Sequence, residues 1–240
     1  MKNLAKIILF QAKKGGVGKS WLCLQIAAAL AKLYGSRVLI ITSDNQNNIP
    51  QFAGVEINSL KGIEHWLKFN EGDTFELRDN LYYIPLNSAV FPTELKSKLK
   101  VFIEALRNKF DFILIDGTPI IDVNTEFSEI ADHIVIPTFL DEVTSYSIKQ
   151  MLDKYGVNKV KAIIPNRAAP KSSVEKKYYN NLLDSLNGSK ILLTCPLKQS
   201  AVIANLIDKG KTVYDSESSK LILIKAELEK VIEVIRWVRK

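Results

Sequence analysis

Near the amino end of the chain, Gln11-Ala12-Lys13-Lys14-Gly15-Gly16-Val17-Gly18-Lys19-Ser20 carries side chains and spacings suited to holding phosphate. Glycines let backbone N–H groups curl around anionic oxygens, because no Cβ blocks the approach. The N-terminus of a following helix adds partial positive charge aimed at the same anion. In such a loop Gly15, Gly16, Val17 and Gly18 form the cradle. Lys19 reaches the outer phosphates, and the Ser20 hydroxyl is a ligand for magnesium. The strict pattern G-x-x-x-x-G-K-[ST] is not met, since Lys13 stands at its first glycine. The pattern that fits is K-G-G-x-G-K-[ST], opened by Lys14. A plain glycine-rich turn is the alternative, and the flanking segments argue against it.

Two carboxylates extend the constellation. Phe110–Asp116 carries an apolar run, Phe112–Ile115, ending in aspartate, the pattern of a central parallel strand that delivers a carboxylate to the sheet edge. In a nucleotide site Asp116 would hold magnesium, usually through water. Asp44 opens a polar run, Ser43 to Asn48, directly after another buried strand. So many carboxamides at that point suggest a loop facing a ligand; a plain Asn/Asp turn is the other reading. Cys23 and Cys195 are far apart and have no metal or redox spacing. Cys23 falls on the apolar face of the first helix, and His65 is read as structural.

The elements that must position these residues follow from hydropathy. Strands are expected at Ile7–Phe10, Arg37–Thr42, Asn80–Leu86, Phe110–Asp116, Ile134–Pro137, Lys161–Pro165 and Ile191–Thr194. Helices are expected at Ser20–Tyr34, Ser59–Phe69, Thr93–Lys109, Ser145–Tyr155, Val174–Leu186, Ala201–Lys209 and Leu221–Val238. Alternation of this kind specifies an α/β fold: one P-loop domain over residues 1–240, a mostly parallel twisted sheet with helices on both faces. The absence of repeats and linkers agrees with one domain.

With 240 residues, a hydrophobic fraction of 47% and a charged fraction of 25%, the composition supports a sizeable core and an ordinary surface. A net charge of +7 points to an anionic partner: nucleic acid, an acidic membrane surface or nucleotide. No run reaches the ~18 apolar residues that span a bilayer, and the first apolar run is too short for a signal peptide. A cytoplasmic location is the expectation.

These residues together resemble the ParA/MinD family of deviant Walker-A ATPases, over nearly the whole chain. Lys14–Ser20 matches the signature loop, Thr42-Ser43-Asp44-Asn45-Gln46 the D-x-D-P-Q segment, and Phe112–Pro119 the I-L-I-D-x-P-P segment. Asn166-Arg167 is similar to the N-R pair at a strand end, and Pro196 with Lys209–Asp215 to the C-terminal I-P…G-x-P-V-x-x-Y-D region. The resemblance implies ATP and Mg2+ as cofactors, and a homodimer with ATP sandwiched at the interface. It implies that Lys14 reaches the partner subunit's nucleotide, that Asp44 positions the attacking water and that Asp116 is the Walker-B residue. Asn166 and Arg167 would contact the nucleotide, the asparagine at the adenine edge. Several positions depart from the pattern, Gly117-Thr118-Pro119 only mildly. Thr42 replaces the first aspartate and Asn45 the proline, implying a looser first switch. Trp21 stands where a second hydroxyl residue contacts the α-phosphate, so its ring must lie beside the nucleotide. Slow hydrolysis is the expectation.

Within that family the leading expectation is a small partition ATPase, without an N-terminal helix-turn-helix extension because the loop opens so near Met1. Its ATP-bound dimer would bind DNA non-specifically and position plasmid or chromosomal cargo on the nucleoid, with a centromere-binding or adaptor protein stimulating hydrolysis. Lys198, Lys209, Lys211 and Lys220 are the candidate DNA contacts, with Arg236, Arg239 and Lys240 behind them. The alternative is a MinD-like membrane-surface ATPase whose basic C-terminus carries Trp237. Against it, Leu221, Ile224, Leu228, Val231, Ile235 and Val238 form a stripe suited to core packing. Electron transfer lacks suitably placed cysteines, and a metabolic kinase fits Lys14 and the Asp44 loop poorly.

Overall fold

Strands β1 (Lys6–Phe10), β2 (Val38–Thr42) and β5 (Phe112–Asp116) are apolar apart from one terminal residue each, because both faces of the sheet they build are covered. The structure, a computed structural model, describes residues 4–58, 61–87, 93–118, 121–169 and 171–237. Five further strands complete the sheet: β3 (Phe75–Arg78), β4 (Leu81–Ile84), β6 (His133–Thr138), β7 (Val160–Pro165) and β8 (Leu192–Leu193). The order is β3-β4-β2-β5-β1-β6-β7-β8, parallel throughout except for the edge pair β3–β4.

Successive side chains of a strand point to opposite faces, and the two cores divide on that period. Ile8, Phe10, Ile40 and Leu114 enter one, with α1 (Lys19–Tyr34), α2 (Asn48–Ala53), α8 (Ala201–Asp208) and α9 (Ile222–Arg236). Ile7, Leu9, Ile41 and Ile115 enter the other, with α3 (Ile63–Phe69), α4 (Thr93–Leu106), α5 (Ile121–Ile130), α6 (Glu142–Tyr155) and α7 (Ser173–Ser185). Short 3-10 turns, Val213–Asp215 and Ser219–Leu221, join α8 to α9.

Register decides what stands at the sheet's carboxyl edge. Phe10 and Thr42, the last residues of β1 and β2, both pair with Asp116 on the strand between them. The loops leaving all three strands therefore open side by side, where β1 separates strands running to opposite sides of the sheet. Open α/β sheets bind ligands at such a point.

Most expected elements form within a residue or two of their sequence positions. Gly35 ends α1 in the left-handed region, at φ 60°, as its place after Tyr34 implies. The expected helix at 59–69 is shorter, Ile63–Phe69, begun after Gly62, and residues 59 and 60 lie outside the described residues. β3, α2 and α5 are additions to the expected set. The stripe on α9 packs as expected: Leu221, Ile224, Leu228, Val231 and Ile235 are buried, while Val238 lies outside the described residues. No helix among the described residues is long and apolar enough to cross a membrane.

Candidate nucleotide-binding site

The glycine loop leaves β1 and turns into α1 through two left-handed glycines, Gly16 at φ 76° and Gly18 at φ 91°. Alternation of this kind turns successive N–H groups inward and makes an anion-binding concavity. Gly18 is also the N-cap of α1, with no side chain capping the helix and no acidic residue in its first turn. The first N–H groups of the helix thus have no capping side chain and are left for a ligand. Gly15, Gly16 and Gly18 line a cleft of about 920 Å³ together with Lys19, Ser20, Trp21, Asp44 and Asn166.

Lys19 is buried, and among the described residues its ammonium forms no hydrogen bond or ion pair. Burial lowers its pKa, while the charges of Asp116 and Asp44 partly restore it. A desolvated cation with no anion in contact is what a phosphate would complete.

Asp116 mirrors it. Only 2% of this residue is exposed, and Oδ1 has no hydrogen-bond partner. Burial pushes its pKa up to about 7, against the Ser20 hydroxyl and the Lys19 charge, which lower it, and with the charge of Asp44, which raises it. An orphaned buried carboxylate oxygen next to a serine hydroxyl fits a divalent cation. No cluster of three His, Cys, Asp or Glu side chains exists among the described residues. Magnesium suits that poverty of protein ligands, because it keeps waters and draws on phosphate oxygens.

The Asp44 loop is pinned rather than loose. Thr42 Oγ1 accepts the Asp44 N–H at 2.9 Å and lies 3.3 Å from the Asp116 carbonyl. Asp44 Oδ1 accepts the Gln46 N–H at 3.0 Å. Asn47, left-handed at φ 49°, receives the Tyr83 hydroxyl at 2.7 Å and donates to the Leu86 carbonyl at 2.7 Å. Threonine at 42 therefore replaces a charge with an anchor, contrary to the looser switch expected from the sequence.

Neighbouring turns are wired to the same edge. The Thr118 N–H donates to Ser43 Oγ at 2.7 Å, and Gln11 Nε2 to the Thr118 carbonyl at 3.2 Å. A Cβ on Gly117 would stand 2.3 Å from Gln11 Oε1 and 2.6 Å from the Phe10 carbonyl oxygen, so this turn requires glycine. Pro119 lies outside the described residues.

Asn166 and Arg167 do come to the loop, at the exit of β7. Asn166 Nδ2 donates to the Val17 carbonyl at 2.9 Å, and a Cβ on Gly18 would stand 2.3 Å from that nitrogen. Arg167 reaches the Gly16 carbonyl at 3.4 Å. Both residues buttress the loop here; Oδ1 of Asn166 and the Arg167 guanidinium nitrogens other than Nη1 have no partner among the described residues.

Lys14 stands at the mouth, well exposed. It pairs with Asp141 Oδ2 at 3.0 Å and lies 5.2 Å from the centroid of the Phe139 ring. Asp141 is the N-cap of α6, accepting the Thr144 N–H at 2.8 Å. Burial raises the Asp141 pKa, but that bond and Lys14 more than offset it and hold it below the ordinary value.

The four candidate DNA-contacting lysines do not gather. Lys198 lines the nucleotide cleft, and Lys209 and Lys211 line a second cleft with Lys32, Arg78 and Asp215. Lys220 sits in the turn before α9. Residues unmarked by any motif complete the first cleft: Phe52 of α2 and Ile203, Ala204 and Ile207 of α8. Motif reading passes over them because they are ordinary apolar residues brought in by helix packing.

Comparison with known proteins agrees with this geometry. A family model described as AAA domain (AAA_31) matches residues 5–169. The sporulation initiation inhibitor protein Soj of Bacillus subtilis is 27% identical over 164 residues, 62% of this chain and 64% of that protein. The chain thus spans less than two thirds of that curated relative's length. Among solved structures, an ATP complex of a Cyanothece McdA variant superposes with a TM-score of 0.78 at 17% identity, covering 99% of this chain and 100% of that one. A putative plasmid partition protein of Borrelia burgdorferi bound to AMPPNP gives 0.76 at 22% identity, covering 96% and 98%. With the family match extending over more than half of its residues, the chain belongs to the AAA_31 group of AAA domains, the ParA/MinD family of small ATPases.

Proposed function

We propose that residues 1–240 form one ATPase domain that closes into a homodimer around ATP and, in that state, binds DNA non-specifically to position plasmid or chromosomal cargo. The observation that carries the dimer is the setting of Lys14. It stands exposed at the mouth of the loop, beside the α6 face on which Val143 and Tyr146 are also exposed. Lys13 bonds Gln150 at 2.6 Å on that same face, so loop and helix present one surface to a second copy.

Lys19 binds the outer phosphates from within the subunit, and Lys14 leaves Asp141 for the partner's nucleotide. Exposed ion pairs contribute only ~0.2–1 kcal/mol, so that exchange costs little. Ser20 and Asp116 hold magnesium, which when bound offsets phosphate charge. Asp44 orients the attacking water, and the two lysines stabilise charge on the transferring group. Hydrolysis removes the contacts that hold the dimer shut, and an adaptor or centromere-binding protein sets its rate.

Partition is favoured over a membrane-surface role because α9, which would have to lie in lipid, spends its apolar face on the core. The relatives named as partition proteins and the charge of +7 agree. Cargo positioning on the nucleoid follows as part of the same proposal. The test is binding to non-specific duplex DNA with ADP and with a non-hydrolysable ATP analogue, titrated with salt. Binding confined to the ATP-analogue state and weakening steeply with salt supports the proposal; no binding at low salt in either state overturns the DNA role.

A further inference from the structure

The cleft has a polar half at the glycine loop and an apolar half between α1, α2 and α8. Trp21 is its largest apolar wall residue, flanked there by Phe52, Ile203 and Ile207. Only 7% of Trp21 is exposed, and its indole N–H forms no hydrogen bond among the described residues. The N–H nevertheless keeps a little solvent-accessible surface, and Trp21 lines the cleft. A nine-tenths buried ring whose donor is met only by solvent at a ligand cleft can exchange that water for an acceptor on the ligand.

Its place in the chain fixes which part of a ligand it meets. Trp21 directly follows Ser20 in the first turn of α1, so its backbone belongs to the phosphate end. Its side chain, by contrast, lines the cleft with residues of α2 and α8, whereas Asp141 is not among the residues that line it. A ligand whose phosphates occupy the loop therefore lays its non-phosphate portion against this wall. Asn166, the other candidate for that portion, gives one of its amide N–H donors to the Val17 carbonyl.

We propose that Trp21 is a nucleoside-contacting specificity residue. Its indole face packs against the base or ribose, and its N–H is the donor of an otherwise apolar wall. This rests on the nucleotide reading given above. It makes the protein prefer nucleoside triphosphate to bare triphosphate by a contact that the loop itself does not supply. Base–aromatic packing is tolerant of base identity, because every base offers a π face.

The experiment measures Kd for Mg-ATP and for inorganic triphosphate in the full chain, in its Trp21→Phe and Trp21→Leu forms, and in a Trp66→Phe/Trp237→Phe background where Trp21 is the sole tryptophan. The expected result is a loss of ATP affinity of about tenfold or more in Trp21→Leu, equal to ~1.4 kcal/mol, with triphosphate affinity unchanged. Trp21→Phe keeps most of the packing and loses the donor, so its affinity falls between the two. In the single-tryptophan form, fluorescence changes with ATP but not with triphosphate. That readout stands even where Trp21→Leu fails to fold. Equal losses for both ligands, or no fluorescence response to ATP that binds, overturns the inference while leaving the nucleotide site intact. Failure of the parent chain to bind either ligand overturns the nucleotide reading itself.

Discussion

Asp116 is a carboxylate that the fold buries at a cost. Its pKa is raised to about 7 because burial outweighs the Ser20 hydroxyl and the Lys19 charge, so at pH 8 the nucleotide-free protein carries an incompletely compensated buried charge. The unfolded chain ionises the same group near pH 4. A raised folded pKa stabilises the protonated form, so the stability present below about pH 4 is lost as pH rises to about 7. Asp116→Asn is therefore expected to raise the Tm of the nucleotide-free protein by several degrees at pH 8, and by progressively less as pH falls towards 4. Thermal melts across that range check it; a lower Tm at pH 8 would show that the Ser20 and Lys19 interactions outweigh the cost of burial. Asp44 is the opposite kind of carboxylate, partly exposed and held by short backbone bonds. For Asp44→Ala we expect ATP affinity to stay within a few-fold while hydrolysis falls about 100-fold, the usual scale for loss of a positioned proton acceptor. Equal losses in affinity and rate would make the loop a binding element only.

At the scale of elements, the site exists because three strand ends share a register and each exit turn is tied to the next. Gly117 is the tightest of these turns. Gly117→Ala places a methyl group against the Phe10 carbonyl and is expected to destabilise the fold by about 1–3 kcal/mol, the range for overpacking. Denaturant melts measure it, and a neutral result would mean that the turn relaxes freely. On the other face of the sheet, Leu228→Ala in α9 removes a fully buried side chain and should cost about 2–5 kcal/mol. Much of this was legible in the sequence. The apolar runs of β1, β2 and β5 announce buried parallel strands, and Gly35 marks the end of α1. The loop, Asp44 and Asp116 could be found because their chemistry depends on residue type and local order. What the sequence hid depends on distant packing. β3 is a four-residue edge strand with a polar pattern, and α2 is a single short helix inside a carboxamide-rich run. The roles of Asn166 beneath the loop and of Thr42 as an anchor come from contacts made across 149 and 74 residues of chain. The apolar wall of the cleft is assembled from α2 and α8, which no motif links to the loop.

The whole molecule is a nucleotide cleft whose outer lip is also a surface. Lys14 rests on Asp141 in the single subunit, and the exposed Val143 and Tyr146 continue that surface along α6. The scattered placement of Lys198, Lys209, Lys211 and Lys220 means that no single lysine dominates a DNA face within one subunit. Each single Lys→Ala change is therefore expected to weaken DNA binding modestly and lower the salt slope by about one. The central claim is that Lys14 works across a subunit boundary. Its most direct test is molar mass in solution, by light scattering after size exclusion, with Mg2+ and either ADP or a non-hydrolysable ATP analogue, for the parent chain and Lys14→Ala. The account predicts monomer with ADP, dimer with the analogue, and monomer in both states for Lys14→Ala, which still binds nucleotide through Lys19. A Lys14→Ala protein that dimerises with the analogue as fully as the parent would contradict it.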